Sequence, residues 1–279
     1  MQIGIRLHDT VKCPLEERLS IVREQGFSCV HMALGKTDGL PKDTDALTPG
    51  YAMWLKKIFD KSGVDLAIIG NYQNLAHPDE STLAEIKRRY RAHLRFASLL
   101  GCGMVGTETG APNPEYKYDK EANHSDAALE IFLRNLEPVV KDAERFGVIL
   151  AIEPVYKHIV WNPKRAREAL DKIASPNLQI IFDPVNLLHP DNLDHRDEVI
   201  EEAIDLLGPD IAMIHLKDYV LEKGDMKAVG CGCGEMDYRR IIAFAQEKKP
   251  YIHATLENTV PENAVSCREM IETIARELR

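Results

Sequence analysis

No stretch of this 279-residue chain approaches the ~20 consecutive apolar positions needed to span a bilayer, because Lys, Arg, Asp or Glu interrupts every helix-length window. A soluble chain is expected. There is no basic excess either: 35 Lys and Arg stand against 44 Asp and Glu, for a net charge of −9. Such a balance argues against a phosphate backbone or an anionic membrane as partner and leaves small molecules as the expected ligands. Cysteine is sparse, with six residues scattered along the chain. The opening Met-Gln-Ile-Gly-Ile-Arg reads directly into a strand with no apolar signal segment, so a reducing cytoplasm is the expected compartment. No Walker or dinucleotide-type glycine loop is present, so no nucleotide cofactor is expected. No Gly/Ser-rich linker, Pro-rich linker or low-complexity tract divides the chain, and residues 1–279 read as one domain.

What is present is alternation. Short apolar runs at about 2–7, 28–33, 64–69, 103–108, 148–153, 178–183, 211–215 and 251–257 take turns with helical patterns near 14–25, 49–62, 79–100, 125–146, 163–174, 194–207, 235–247 and 262–278. Pro14 fits a first helical turn, and Gly26 fits a left-handed helix stop. Strands never follow one another directly, which indicates parallel pairing. Eight such units in a chain near the typical ~250 residues close as a single (β/α)8 TIM barrel of the α/β class. An open doubly wound sheet is the alternative. The longer insertions follow strands 2, 4 and 7, on the face where barrel enzymes keep their sites. The fourth-strand loop, Thr109 to Tyr118, is polar and aromatic and reads either as a lid or as a packed loop.

The last four runs each end in a metal-ligand type: Glu153, Asp183, His215 and Glu257, spaced by 30, 32 and 42 residues. Parallel strands would deliver all four to one end of the barrel, where a hard or borderline divalent cation could hold three carboxylates and an imidazole together. Period-two alternation puts Ile149 and Ala151 on the face of Glu153, Gln179 and Ile181 with Asp183, Ile211 and Met213 with His215, and Tyr251, His253 and Thr255 with Glu257. One such acid could simply cap a helix. Four at successive strand ends, one of them His, fit a metal set better.

Around these four positions, Glu153-Pro154, Asp183-Pro184-Val185-Asn186, His215-Leu216-Lys217-Asp218 and Glu257-Asn258 resemble the xylose-isomerase-like barrel superfamily, as do Gly70 to Pro78 and the Gly230-Cys-Gly-Cys-Gly-Glu235 turn. The resemblance implies one bound divalent ion, Mn²⁺ first, with Mg²⁺, Co²⁺ or Zn²⁺ as alternatives. It implies Glu153, Asp183, His215 and Glu257 as its ligands, with the two glutamates doubling as the acid/base pair. The reading that follows is a sugar isomerase or ketose 3-epimerase that moves a proton next to a carbonyl through a metal-stabilised enediolate. A lyase or dehydratase acting on an inosose or 3-keto sugar shares the first step and is the alternative. An apurinic-site endonuclease would need further histidines, and the acidic charge disfavours it; a non-catalytic sugar-binding protein needs only the pocket. Members of the superfamily are often oligomers, and homo-oligomerisation is left open.

Five residues are candidates for substrate contact. Lys217 shares the parity of His215. Glu108 ends strand 4 and His8 ends strand 1. Asn186 stands where many sugar epimerases of this family carry a histidine. Trp161, with Tyr156, follows strand 5 and offers an aromatic face to a sugar. Cys231 and Cys233 lack a second ligand pair, so the alternating glycines around them are expected to let backbone approach substrate or ligands closely.

Overall fold

The computed structural model describes residues 1–279. Eight parallel strands close into a barrel: β1 (Gln2–Arg6), β2 (Cys29–Ala33), β3 (Asp65–Gly70), β4 (Met104–Glu108), β5 (Ile149–Glu153), β6 (Leu178–Phe182), β7 (Ile211–Leu216) and, after a hairpin of β8 (Asp218–Glu222) and β9 (Asp225–Val229), β10 (His253–Leu256). The ring runs in chain order, and β10 pairs with both β7 and β1. Outside it lie helices α1 (Leu15–Glu24), α2 (Pro49–Ser62), α3 (Glu80–Leu100), the single turn α4 (Lys120–Asn123), α5 (Asp126–Phe146), α6 (Pro163–Ile173), α7 (Arg196–Leu207), α8 (Arg239–Lys248) and α9 (Ala264–Glu277). No helix is long and apolar enough to cross a membrane.

Local chemistry sets the helix ends. The side chains of Thr48, Asp79, Ser125 and Asn162 each accept a backbone N–H in the first turn of α2, α3, α5 and α6. Pro14 stands just before α1, with extended ψ, rather than inside its first turn, while Gly26 has the expected left-handed φ of 86°. The main core lies between strands and helices. A smaller one fills the barrel axis with Cys29, Ala67, Ile68, Met104, Ala151, Ile181 and Met213. Gly106 belongs to this inner layer by necessity, since a Cβ there would lie 2.6 Å from Ile68 Cδ1 and 2.8 Å from Ile181 Cδ1.

Two irregularities alter the simple alternation. Opposite β6, the register passes from Ile180↔Ile211 to Ile181↔Met213, leaving Ala212 without a partner. Ile211 therefore packs outward in the main core, not on the face of Met213 and His215 as strict alternation predicts. Between β2 and β3 the pairs Val30↔Leu66 and His31↔Ile68 skip Ala67, immediately beside His31. The expected strand start at Tyr251 is also corrected: Pro250 and a turn closed by the Ile252 N–H on the Lys249 carbonyl delay β10 to His253, and Tyr251 is 82% exposed. The β8–β9 hairpin carries no strong alternation of apolar residues, and its outer half is solvent-exposed.

Candidate active site

Glu153 ends β5, Asp183 directly follows β6, His215 lies in β7 and Glu257 directly follows β10, so all four reach the C-terminal mouth of the barrel, and all are buried. His215 Nδ1 lies 3.4 Å from Glu153 Oε1 and 3.1 Å from Glu257 Oε1. Ligand atoms of Glu153, Asp183 and His215 lie within 4.8 Å of one another, as do those of His31, His215 and Glu257. The four expected residues thus come together, but as two overlapping triplets that share His215, and the second includes His31.

Asp183 divides its two oxygens. Oδ1 accepts the backbone N–H groups of Val185 at 3.0 Å and Asn186 at 3.2 Å, the turn-capping role common for an acid after a strand. Oδ2 faces the cluster, 2.7 Å from the Lys217 ammonium but without hydrogen-bond geometry. Lys217 Nζ also lies 3.5 Å from Glu257 Oε2. The residue expected to contact substrate is buried between two of the acids. Asn186, similarly, turns inward and donates from Nδ2 to Glu153 Oε1 at 2.6 Å.

Charge in this enclosure follows from its partners. Burial opposes the imidazolium of His215, yet Glu257 and Glu153 outweigh it and raise the group to about 8. Burial likewise opposes the Lys217 ammonium, and Asp183, Glu257 and Glu153 carry its pKa above the ordinary lysine value. For Glu257, burial would favour the neutral acid, but His215, Lys217 and Arg6 hold it well below the usual carboxylate range. Asp183 is pushed up to about 6 by burial, against the pull of Lys217.

A further ring of residues surrounds the cluster. Arg6 Nη1 lies 3.3 Å from Glu257 Oε2, while its Nε donates to Asp9 at 2.7 Å and its Nη2 to Asn258 at 3.3 Å. His31 stacks on His215 with ring centroids 5.3 Å apart, and its Nε2 is 3.1 Å from the Tyr72 hydroxyl. Gly70 makes that contact available: a Cβ there would fall 2.5 Å from His31 Nε2 and 2.8 Å from the Tyr72 ring. His8 stands edge-on to His31 at 6.3 Å and is held neutral, lowered to about 4 by burial and then by Arg6.

Glu108 pairs in register with Glu153 and accepts from Tyr116 Oη at 3.1 Å. Burial, then the charge of Glu153, raises it to about 7. His158 Nδ1 stands 4.0 Å from Glu108, and burial lowers that imidazole to about 4. Tyr116 adopts a positive φ of 57°, and the Asn74 side chain bonds the Ala111 and Asn113 carbonyls and so ties this loop down. The first part of the fourth-strand loop, residues 109–111, is therefore packed, while Pro114, Glu115, Lys117 and Tyr118 are exposed.

Trp161 is not brought to the cluster around His215. It stacks on His124 at 4.4 Å, beside the Tyr156–His189 stack at 4.3 Å. The glycine turn also serves another purpose than expected. Asp218 accepts N–H groups from Tyr219, Gly232 and Met236, and a Cβ at Gly234 would lie 2.0 Å from the Tyr219 carbonyl oxygen, so the close approach is to Asp218 and Tyr219.

The family model described as xylose isomerase-like TIM barrel matches residues 19–274. The chain belongs to this xylose isomerase-like family. No curated protein matches it by sequence. Among solved structures it resembles a D-tagatose 3-epimerase-like protein (18% identity, TM-score 0.77, covering 100% of this chain and 98% of that one). It also resembles a xylose isomerase-like TIM barrel protein from Mycobacterium smegmatis in complex with magnesium (16%, 0.73, 100% and 98%). A third is the probable 3-DHS dehydratase AsbF of Bacillus anthracis (12%, 0.74, 98% and 99%). At these identities the likeness is one of fold.

The donor set of this xylose isomerase-like chain fits a divalent cation on its own chemistry. Both ring nitrogens of His215 are buried without a hydrogen-bond partner, although carboxylate oxygens stand within 3.4 Å of Nδ1, and Asp183 Oδ2 meets only the Lys217 ammonium. Buried polar atoms left in this state are rare unless something else occupies them. Oxygen and imidazole donors suit Mn²⁺, Mg²⁺, Co²⁺ and Zn²⁺.

Proposed function

We propose that this protein is a divalent-metal-dependent isomerase or epimerase of a small sugar or sugar derivative, exchanging a proton at a carbon next to a carbonyl. The observation that carries the reading is the pair of carboxylates, Glu153 Oε1 and Glu257 Oε1, both within 3.4 Å of one His215 nitrogen yet mounted on strands separated by β6 and β7. Glu153, Asp183, His215 and Glu257 would hold the ion, with His31 beside it. When bound, the ion supplies a Lewis acid for oxygens that gain negative charge as the proton leaves.

The protein's own groups do the rest. Glu257, surrounded by His215, Lys217 and Arg6, is kept ionised and so enters as a proton acceptor. Glu153 is paired with the neutral amide of Asn186 and is the opposing group, able to hand a proton back from the other wall. Lys217 and Arg6 fix the carboxylates before substrate arrives, and Tyr72, its hydroxyl 3.1 Å from His31 Nε2, shapes the same mouth. His8, Glu108 and Asn186 remain as groups for orienting substrate or ligand, and Trp161 belongs at most to the outer rim.

Elimination is the second reading, and one observation favours it. Glu108, held near 7 beside Glu153, is the kind of neutral carboxylic acid that protonates a departing group. Solvent deuterium incorporation separates the two. Mn²⁺-loaded protein is offered free ketoses, ketose phosphates, inososes and 3-keto glycosides in D₂O, with Glu257→Gln as control. The reading expects deuterium at one carbon with the skeleton intact, lost in the control. A departing water or aglycone moves the assignment to a lyase, and no exchange with metal bound overturns both.

A further inference from the structure

Three of the six cysteines, Cys231, Cys233 and Cys267, gather behind the mouth, outside the groups assigned above. The Gly230–Glu235 turn lies on the first turn of α9. A Cβ at Gly230 would fall 3.2 Å from Asn263 Nδ2 and 3.2 Å from the Asn258 carbonyl oxygen, and one at Gly232 would fall 2.7 Å from Met270 Cε. Asn263 links the two sides, its Nδ2 3.7 Å from Cys233 Sγ and its carbonyl accepting the Cys267 N–H at 2.9 Å. Cys267 lies one turn beyond Asn263 and three residues before Met270, on the same face of α9 as these two residues that the glycine turn meets. Cys231 is fully buried and so is not reached by a solvent-borne reagent. Cys233 is exposed, so a solvent-borne reagent reaches one thiol of the pair, with Cys267 buried behind it to resolve the product.

We propose that Cys233 and Cys267 form a reversible dithiol–disulfide site whose co-substrate is a low-molecular-weight disulfide such as oxidised glutathione. The Cys233 thiolate attacks one sulfur of the reagent and expels a glutathione thiolate. The Cys267 thiol, pushed up to about 12 by burial, gives up its proton only as its sulfur attacks the Cys233 sulfur and expels the second equivalent. Two electrons pass from the cysteine pair to one glutathione disulfide, and the two thiol protons end on two glutathione molecules. The bond joins the glycine turn, pinned at its other side by Asp218, to the helix that follows the Glu257–Asn263 segment. Oxidation therefore restrains backbone next to Lys217 and Glu257 without touching either side chain.

The test is peptide mapping of the full-length native protein, without reduction, after incubation with oxidised glutathione. A cross-link between the peptides carrying Cys233 and Cys267 is expected, reversed by dithiothreitol and absent in Cys233→Ser, while the buried Cys29 and Cys102 stay unmodified and so report an intact fold. Hydrogen exchange should slow across residues 230–236 in the oxidised protein relative to the reduced one. Glutathione retained on Cys233 with no cross-link, or Cys231 joined to Cys233 instead, overturns the proposal. So does a cross-link that forms only when Cys29 or Cys102 also reacts.

Discussion

The Asn186 amide donates to Glu153 Oε1 at 2.6 Å, so a residue expected to contact substrate instead holds a carboxylate of the candidate metal set. A group that orients a ligand in this way typically changes metal affinity or activity by about 10–100-fold when removed. Asn186→Ala should weaken Mn²⁺ binding by that factor in calorimetric titration. Unchanged affinity would show that the amide does not orient Glu153.

Lys217 is buried between Asp183 and Glu257, and removing one member of a buried ion cluster leaves uncompensated charge at a cost of about 3–5 kcal/mol. Lys217→Met should lose that much in urea unfolding of metal-free protein, and saturating Mn²⁺ should recover part of it by restoring positive charge. A loss below about 1 kcal/mol would argue that the acids simply take up protons.

Metal itself should stabilise the fold. Binding to the native state alone contributes about 2.7 kcal/mol at a free ion concentration near 100 times Kd. The thermal midpoint should rise with added Mn²⁺ and fall back with chelator, and neither change should occur in His215→Ala. An equal rise in that variant would place the ion elsewhere.

Gly70→Ala would push a methyl group into His31 Nε2 and Tyr72, a small-to-large change in a packed site worth about 1–3 kcal/mol. The variant should unfold earlier in urea and should lose the His31–Tyr72 contact, visible as a changed imidazole resonance. Full stability with an unchanged spectrum would contradict the close approach.

Glu108 makes a signed pH prediction for metal-free protein. Its pKa rises from an ordinary 4.5 to about 7 on folding, so below 4.5 it is neutral in both states and carries no penalty. As pH climbs from 4.5 through about 7, the unfolded chain ionises first and native stability is lost. Glu108→Gln should therefore gain stability relative to the parent over that interval and hold a constant advantage above it. A difference that stays flat from pH 5 to 8 would remove the shift.

The barrel was legible because its signals are local. Apolar strands followed by amphipathic helices repeat eight times, and every main helix starts and ends within a few residues of its expected bounds. What resisted was register. The skipped residues at Ala67 and Ala212 shift the faces of β3 and β7, and a bulge leaves no mark in hydrophobic periodicity. His31 carried no ligand signal for a similar reason: its relevance comes from stacking on His215, about two-thirds of the chain away in sequence.

Sequence alone determined which residues end the strands, because alternation and parallel pairing deliver Glu153, Asp183, His215 and Glu257 to one face whatever fills the barrel. Only the tertiary structure decided their company. Lys217 turns in between two acids, Asn186 reaches back to Glu153, Arg6 closes on Glu257 from across the β10–β1 junction, and Trp161 stays with His124. Those choices depend on distances between side chains from different strands, set by barrel closure and by the desolvation of charge inside it, and no run of neighbouring residues encodes them.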